Sequence, residues 1–152
     1  MQNMNAYYDF SGQKFGHPFS LSINGFDRQV FSQQTSLELS YVLEGRYEVI
    51  TEGFSHMLGP RELALIAPGE IHMIRKAPDA PGSVILTVHI DFERMPEALV
   101  GQVDGLFSTM VCTETENAPL LGRLRQTLGR LLRLLTQPEH SLFQLNARMM
   151  EL

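Results

Sequence analysis

The stretches LELSYVLEGRYEV, residues 37–49, and GPRELALIAPGEIHMI, residues 59–74, decide the fold of this chain. Each consists of short β-like runs that are interrupted by turn residues such as Gly45, because glycine readily adopts a positive φ. Similar runs follow one another from Phe19 to about Phe92, and this spacing predicts an antiparallel sandwich or barrel. The predicted strands are Phe19–Ile23, Leu37–Leu43, Tyr47–Thr51, Ser55–Leu58, Leu63–Ile66, His72–Arg75 and Val84–Phe92.

Two unlike faces are predicted for the strand that begins at Leu37. Alternate residues of a strand share a face, so one face of this strand is mostly polar and the other is apolar or aromatic. The polar face suits the lining of a barrel interior that holds a small ligand, whereas the apolar face needs a cover. The polar face carries Gln34, Ser36, Glu38, Ser40 and Val42, and the apolar face carries Leu37, Leu39, Tyr41 and Leu43.

The clearest helix is predicted over residues 119–135, PLLGRLRQTLGRLLRLL, with Pro119 in its first turn. Leucines at steps of three and four form one apolar stripe on it: Leu121, Leu124, Leu128, Leu131 and Leu135. A second helix, from Ser141 to about Met150, follows Pro138 and completes a helical hairpin. The stripe is broad enough for a two-fold dimer interface, for packing on the chain's own Leu39–Tyr41 face, or for both.

Arginines also cluster on this helix. They are Arg123, Arg125, Arg130 and Arg133, with no acidic residue among them. A solvated face is the favoured interpretation, and a docking surface for a partner is the alternative.

Length and composition set further limits. A chain of 152 residues with 43% hydrophobic and 19% charged residues fits one globular domain. No apolar run reaches the length of a membrane span and no signal peptide is apparent, so a cytoplasmic protein with no membrane partner is expected. Cys112 is the only cysteine, which excludes an intrachain disulfide and a thiolate zinc site. A net charge of −5 disfavours DNA binding by the chain alone.

The two signature stretches resemble the two motifs of the cupin family. The first motif is G-x5-H-x-H-x3-4-E-x6-G, and Glu38 and Gly45 match its Glu and its last Gly. The second contains P-x-G-x2-H, and Gly69 and His72 match its Gly and His, with Pro68 displaced by one position. The phrases ELSYVLEG and LIAPGEIH are more particularly similar to the sensor domain of AraC-type bacterial transcription regulators.

This resemblance implies a mainly β fold, an antiparallel cupin (jelly-roll) barrel followed by a C-terminal α-helical hairpin. It divides the chain into an N-terminal arm (1–18), a cupin β-barrel (19–95) and a helical dimerisation region (96–152). It further implies an effector-sensing module that forms a homodimer through its C-terminal helices. Such a module contacts DNA only through a C-terminal helix-turn-helix domain that these residues do not contain.

One departure from the cupin pattern concerns metal binding. In metal-binding cupins two His of the first motif, its Glu and the His of the second hold a divalent ion. Here the two His positions are Ser32 and Gln34, or Phe31 and Gln33 with the longer spacer. Glu38 and His72 alone supply fewer than the three protein ligands of a typical catalytic site, so we expect no metal, no cofactor and no enzymatic activity. The alternative is a metal-dependent cupin enzyme of the dioxygenase or isomerase type.

The candidate ligand-binding residues combine the polar strand face with two histidines and two aromatic residues of the arm. Tyr8 and Phe10 would close an apolar mouth if the arm is a lid; a disordered tail is the alternative. Glu38 and His72 could instead pair with each other or with backbone groups and only stabilise the barrel. The candidate set is Gln34, Ser36, Glu38, Ser40, His72, His89, Tyr8 and Phe10.

Overall fold

The computed structural model describes residues 6–11, 17–98, 100, 105, 107–136 and 151–152. Within these ranges the chain forms nine β-strands and one long α-helix. The strands are β1 (Ala6–Ser11), β2 (Phe19–Asn24), β3 (Leu37–Glu44), β4 (Tyr47–Thr51), β5 (Ser55–Leu58), β6 (Leu63–Ile66), β7 (His72–Lys76), β8 (Val84–Ile90) and β9 (Met110–Cys112). The helix, α1, is Ala118–Thr136, and a short 3-10 helix covers Phe92–Arg94. No helix among the described residues is long and apolar enough to cross a membrane.

The strands form two antiparallel sheets. The larger sheet has the order β1-β2-β8-β3-β6-β9, and the smaller has the order β5-β4-β7. All seven predicted strands are present, as β2 to β8, with ends that differ by at most two residues. The edge strands β1 and β9 were not predicted, and they bring segments from outside residues 19–95 into the larger sheet.

An apolar layer fills part of the space between the two sheets. Val42 of β3 and Ile85 of β8 meet Val49 of β4 and Ile74 of β7 there, all almost completely buried. Tyr47 anchors this layer, because its hydroxyl lies 3.2 Å from the carbonyl oxygen of Phe26 and 3.1 Å from that of Ser83 and can donate to either one. The interior is therefore apolar at one end and polar where Glu38, Ser40, Thr87 and His89 point inward from β3 and β8.

A second and larger apolar core lies on the outer face of the six-stranded sheet, under α1. The sheet contributes Leu37 and Leu39 of β3 and Leu86 of β8. The helix contributes its entire leucine stripe, Leu121, Leu124, Leu128, Leu131 and Leu135, which is at most 7% exposed. Of the alternatives considered for these five leucines, a dimer interface or the chain's own sheet, the structure shows packing on the sheet, where the stripe covers the apolar strand face.

The start of α1 is defined by local hydrogen bonds. Thr113 Oγ1 accepts from the backbone N–H groups of Thr115 and Glu116, and Asn117, with φ 56°, turns the chain into the helix. One C-terminal helix is thus confirmed, whereas the second helix of the predicted hairpin, Ser141 to about Met150, lies outside the described residues.

Of the four arginines of α1, Arg125 and Arg130 form ion pairs with acidic side chains, and the other two are exposed. Arg123 and Arg133 are exposed, as the solvated-face interpretation expects. Arg125 instead folds onto the loop before β6, where its guanidinium donates to the carbonyl oxygen of Arg61 and pairs with Glu114 at 2.7 Å.

Gly45, the glycine that matches the first cupin motif, allows a close contact in the β3–β4 turn. Its φ is +74°, and a Cβ there would lie 2.7 Å from Ser83 Cβ and 2.8 Å from Ser83 Cα. Ser83 cannot move easily, because its hydroxyl accepts from Arg46 N and donates to the carbonyl oxygen of Ala80.

Gly45→Ala is therefore expected to reduce the free energy of unfolding by about 2 to 5 kcal/mol, from the strained φ and the overpacking together. Urea denaturation followed by circular dichroism measures this change. Gly53→Ala is the matched control in the next turn, since only Thr51 Oγ1 at 3.9 Å approaches its Cβ. Equal stability of the two variants would contradict the packing argument.

Candidate functional site

A cavity of about 980 Å³ opens at the polar end of the interior. Its floor is formed by side chains that point inward from neighbouring strands: Ser22 and Asn24 of β2, Glu38 of β3, and Thr87 and His89 of β8. Its rim comes from residues 25–29, which follow β2, and from Arg75, Lys76 and the loop after β7. The volume lies in the range of small-molecule sites, and a concave surface with a few convergent polar groups is what such sites present.

Glu38 is the centre of a hydrogen-bond cluster at the floor of this cavity. Its carboxylate accepts from Ser40 Oγ at 2.7 Å and from the side-chain amide of Gln34. His72 Nε2 lies 3.2 Å from Oε2, and His89 Nδ1 lies 3.9 Å from the same oxygen. The carboxylate is almost completely buried, so these partners replace the water that it loses on folding.

The cluster keeps Glu38 ionised. Burial alone would raise the pKa of this carboxyl group, but the hydrogen bond with His72, the charges of His89 and His72, and the hydrogen bond from Ser40 lower it to about 2. Glu38 is consequently a hydrogen-bond acceptor at neutral pH.

The pKa values of the two histidines are shifted in opposite directions. His72 Nδ1 faces the carbonyl oxygen of Glu70 at 3.0 Å while Nε2 faces the Glu38 carboxylate. Because both partners are acceptors, both ring nitrogens must carry a proton. Burial acts to lower the pKa of His72, but these two contacts outweigh it and the pKa is raised. For His89, burial together with the charges of Arg28 and His72 outweighs the attraction of Glu38, and the pKa is lowered.

The predicted site residues occupy three different places. Glu38 and His89 line the cavity, and Tyr8 both borders the cavity and packs against the apolar core under α1. Ser40 and His72 are buried and contact Glu38, so that they position it. Gln34 and Ser36 line a smaller recess of about 230 Å³, which His89 also borders.

The structure places Phe10 away from the cavity. It packs against the apolar core under α1, and its ring stacks on Phe19 with centroids 5.4 Å apart. Its assignment to the ligand site is therefore corrected. The reason is that β1 pairs with β2 in register, Phe10 opposite Leu21, and alternation directs Phe10 to the α1 side of the sheet.

Most cavity-lining residues were not among the predicted site residues, and Thr87 and Arg28 are two of them. Thr87 could have been included, since it shares a strand face with His89. Arg28 lies in an irregular segment with no periodicity, so its position at the rim depends on the tertiary fold.

A resident metal ion, which the cupin resemblance raises, does not fit this donor set. The described residues contain no group of three or more His, Cys, Asp or Glu side chains that could hold an ion. The Glu38 oxygens already accept from Gln34, Ser40 and His72, and His89 Nδ1 lies 3.4 Å from Ser36 Oγ. The first-motif histidine positions carry Ser32 and Gln34 in this chain.

The chain belongs to the family of AraC-like ligand binding domains, whose model matches residues 17–152. This match includes the whole of α1 and every strand except β1. Among curated proteins, none matches the chain.

Several solved structures are similar to this chain at low sequence identity. A Pseudomonas aeruginosa protein described as glyoxylate-induced is 19% identical, with a TM-score of 0.54, and the match covers 76% of this chain and 43% of that one. A Cupin 2 conserved barrel domain protein from Salinispora arenicola is 18% identical, with a TM-score of 0.46 and coverage of 70% and 87%. Bacillus subtilis oxalate decarboxylase, described with Mn(II) centres, is 14% identical, with a TM-score of 0.45 and coverage of 59% and 28%. At such identities the first of these likenesses shows a common fold and nothing more.

Proposed function

We propose that this chain is the effector-sensing and dimerisation domain of an AraC-family transcription regulator, which binds a small molecule in a metal-free cupin barrel. The observation that carries the proposal is the open cavity, with Glu38, Thr87 and His89 on its floor, inside an AraC-like ligand binding domain. The cavity lining includes the ionised carboxylate of Glu38 and Thr87, whose buried hydroxyl has no hydrogen-bond partner among the described residues, and such polar groups suit the recognition of a polar metabolite. DNA would be contacted through a helix-turn-helix domain attached after the sensor domain.

The second candidate is a metal-dependent cupin enzyme of the dioxygenase or isomerase type. Its support is the proximity of Glu38, His72 and His89, which brings two imidazoles to one carboxylate. The hydrogen bonds within this cluster favour the sensor, because an ion that bound Glu38 Oε2 would have to displace the contacts with Gln34 and His72. Metal analysis of the purified protein separates the two candidates, and a stoichiometric transition metal would support the enzyme.

Dimerisation is part of this proposal, but it would need a surface other than the leucine stripe. Ligand occupancy of the cavity would alter the packing between sheet and helix and thereby the position of an attached domain.

A thermal-shift screen of sugars, amino acids and small organic acids tests ligand binding. We expect at least one compound to raise the Tm, because a ligand at about 100 times its Kd adds about 2.7 kcal/mol to the free energy of unfolding. For a chain of this size that corresponds to about 5 to 11 °C. Ser22→Phe, which fills the cavity from β2, should abolish the shift, and the exposed substitution Arg123→Gln should preserve it. A screen without any stabilising compound would contradict the proposal.

A further inference from the structure

We infer that the ligand of this cavity is a small hydroxycarboxylate, whose carboxylate binds Arg28 and whose hydroxyl hydrogen-bonds to Thr87 and Glu38. The inference rests on the proposed function and adds to it the chemical class of the effector. It depends on two observations about the described residues: a guanidinium at the rim that has no carboxylate partner among them, and a buried hydroxyl on the floor that has no hydrogen-bond partner among them.

Arg28 is held in place at the cavity rim by contacts that leave its charge uncompensated. Its guanidinium carbon lies 5.1 Å from the centroid of the Phe26 ring, and Nη1 donates to Ser32 Oγ at 3.3 Å. Ser32 in turn exchanges backbone hydrogen bonds of 2.8 and 2.9 Å with His72, which anchors the segment to β7. None of the ion pairs formed by described residues includes Arg28. Most of its five donors thus remain for a ligand, and a planar guanidinium matches a carboxylate in a bidentate manner.

Thr87 provides the second contact. The residue is 3% exposed and lines the cavity between Ser22 on β2 and Ser40 on β3, and its Oγ1 has no hydrogen-bond partner among the residues that the structure describes. An unpartnered buried hydroxyl costs free energy, so a ligand group that pairs with it is favoured. Glu38, on the same floor, is an acceptor only, which selects a donor such as a hydroxyl for this part of the ligand.

The remaining charges around the cavity also favour an anion. The Glu38 carboxylate is balanced by His72, and Arg75 is paired with Glu48 at 2.7 Å. Lys76 Nζ donates to the carbonyl oxygen of Pro81 and has no carboxylate partner in the described ranges. Of the two acids at the rim, Asp27 already accepts from Lys76 N and from Gln29, whereas Asp9 is the group that would attract a cationic ligand instead.

The test uses two series of compounds that differ only in one group, measured by calorimetry on the whole chain. One series is 2-hydroxybenzoate, 2-hydroxybenzyl alcohol and 2-hydroxybenzylamine, with benzoate as the acid that lacks the hydroxyl. The other is D-gluconate, D-glucitol and D-glucamine. We expect the acid to bind most tightly in at least one series. Arg28→Gln should weaken binding of that acid by about 10- to 100-fold and should change the affinity for the corresponding alcohol by less than about twofold.

Thr87→Val provides an independent readout. This substitution should weaken binding of the hydroxylated acid by about tenfold and leave the affinity for benzoate unchanged, because only the contact with the ligand hydroxyl is lost. It should not destabilise the free chain, since Oγ1 has no partner there. Arg123→Gln, the same substitution on the outer face of α1, should change neither affinity.

Several results would overturn the inference. Tighter binding of the alcohol than of the acid would do so, as would an unchanged acid affinity in Arg28→Gln. If the amine bound more tightly than the acid and Asp9→Asn abolished that binding, the rim would recognise a cationic group instead of a carboxylate. In each of these cases the proposed sensor function stands, because a ligand still binds in the cavity. Failure of every compound, here and in the wider screen, would instead contradict the sensor function itself.

Discussion

Leu131→Glu is expected to abolish the folded state of this chain. Leu131 is completely buried between α1 and the six-stranded sheet, and a carboxylate there would have no partner in the surrounding core of leucine and valine side chains. An unpaired buried charge costs several kcal/mol in addition to the lost apolar contacts, which is comparable to the total stability of a domain. Leu131→Ala, a milder change, should cost about 2 to 5 kcal/mol.

Circular dichroism and sedimentation velocity together distinguish this core role from an interface role. If Leu131 were a dimer contact, Leu131→Glu would give a folded monomer with a wild-type far-ultraviolet spectrum. We expect instead the loss of cooperative unfolding and, for Leu131→Ala, a Tm lower by about 4 to 20 °C. Gln126→Glu is the matched control on the exposed side of the same helix and should change the stability by less than about 0.5 kcal/mol.

The leucine stripe illustrates what helical periodicity can and cannot predict. Steps of three and four indicate which face of α1 is buried, and the structure confirms that face. Periodicity contains no information about the surface that buries it, so the choice between the chain's own sheet and a second subunit required the tertiary structure. The apolar face of β3, which was expected to need a cover, is the face that α1 contacts.

The strands likewise separate into those that local sequence signals predict and those that depend on tertiary structure. The ends of β2 to β8 follow from alternation and from the Gly, Pro and Asn residues between runs, which are local signals. The edge strands β1 and β9 each pair with one neighbour only, and β1 contains a register shift between Ala6 and Tyr8. A short or irregular edge strand is defined by the strand it pairs with, so its own sequence carries little signal.

For the site, the polar face of β3 was sufficient to identify Glu38 as a candidate group. Its spacing from Gly45 and the position of His72 pointed to the same strand region. The sequence could not indicate that the His72 side chain contacts and positions Glu38. It also could not indicate that Arg28 reaches the cavity rim from an irregular segment. Such contacts depend on side chains that are distant along the chain.

Glu38→Ala is expected to reduce the free energy of unfolding by about 3 to 5 kcal/mol at pH 6, because it leaves the imidazolium of His72 buried without its counter-charge. Glu48→Ala is the control on β4. Its ion pair with Arg75 is partly solvent-exposed, and its loss should cost less than about 1 kcal/mol. Urea denaturation of both variants measures the two costs, and equal costs would contradict a special role of the buried pair.

The pH dependence of this difference follows from the two pKa shifts. The pKa of Glu38 is lowered from 4.5 to about 2, so its stabilisation is fully present above pH 4.5 and is lost as the pH falls toward 2; the shift corresponds to about 3 kcal/mol. The pKa of His72 is raised above 6.5, so its stabilisation is complete below pH 6.5 and is lost as the pH rises through the raised value. The stability advantage of the wild type over Glu38→Ala should therefore be largest between pH 4.5 and 6.5.

The pKa of His89 is shifted in the opposite direction to that of His72, so the effect of His89 on stability must be separated from that of the Glu38–His72 pair. Its pKa is lowered from 6.5, so its contribution is present above pH 6.5 and decreases as the pH falls below that value. Introducing His89→Gln into both the wild type and Glu38→Ala removes this contribution from the comparison. In that background the difference should still decrease at both ends of the window, since only Glu38 and His72 remain to titrate in the cluster. A difference that stays constant from pH 2 to pH 8 would mean that the Glu38–His72 contact does not stabilise the fold as an ion pair.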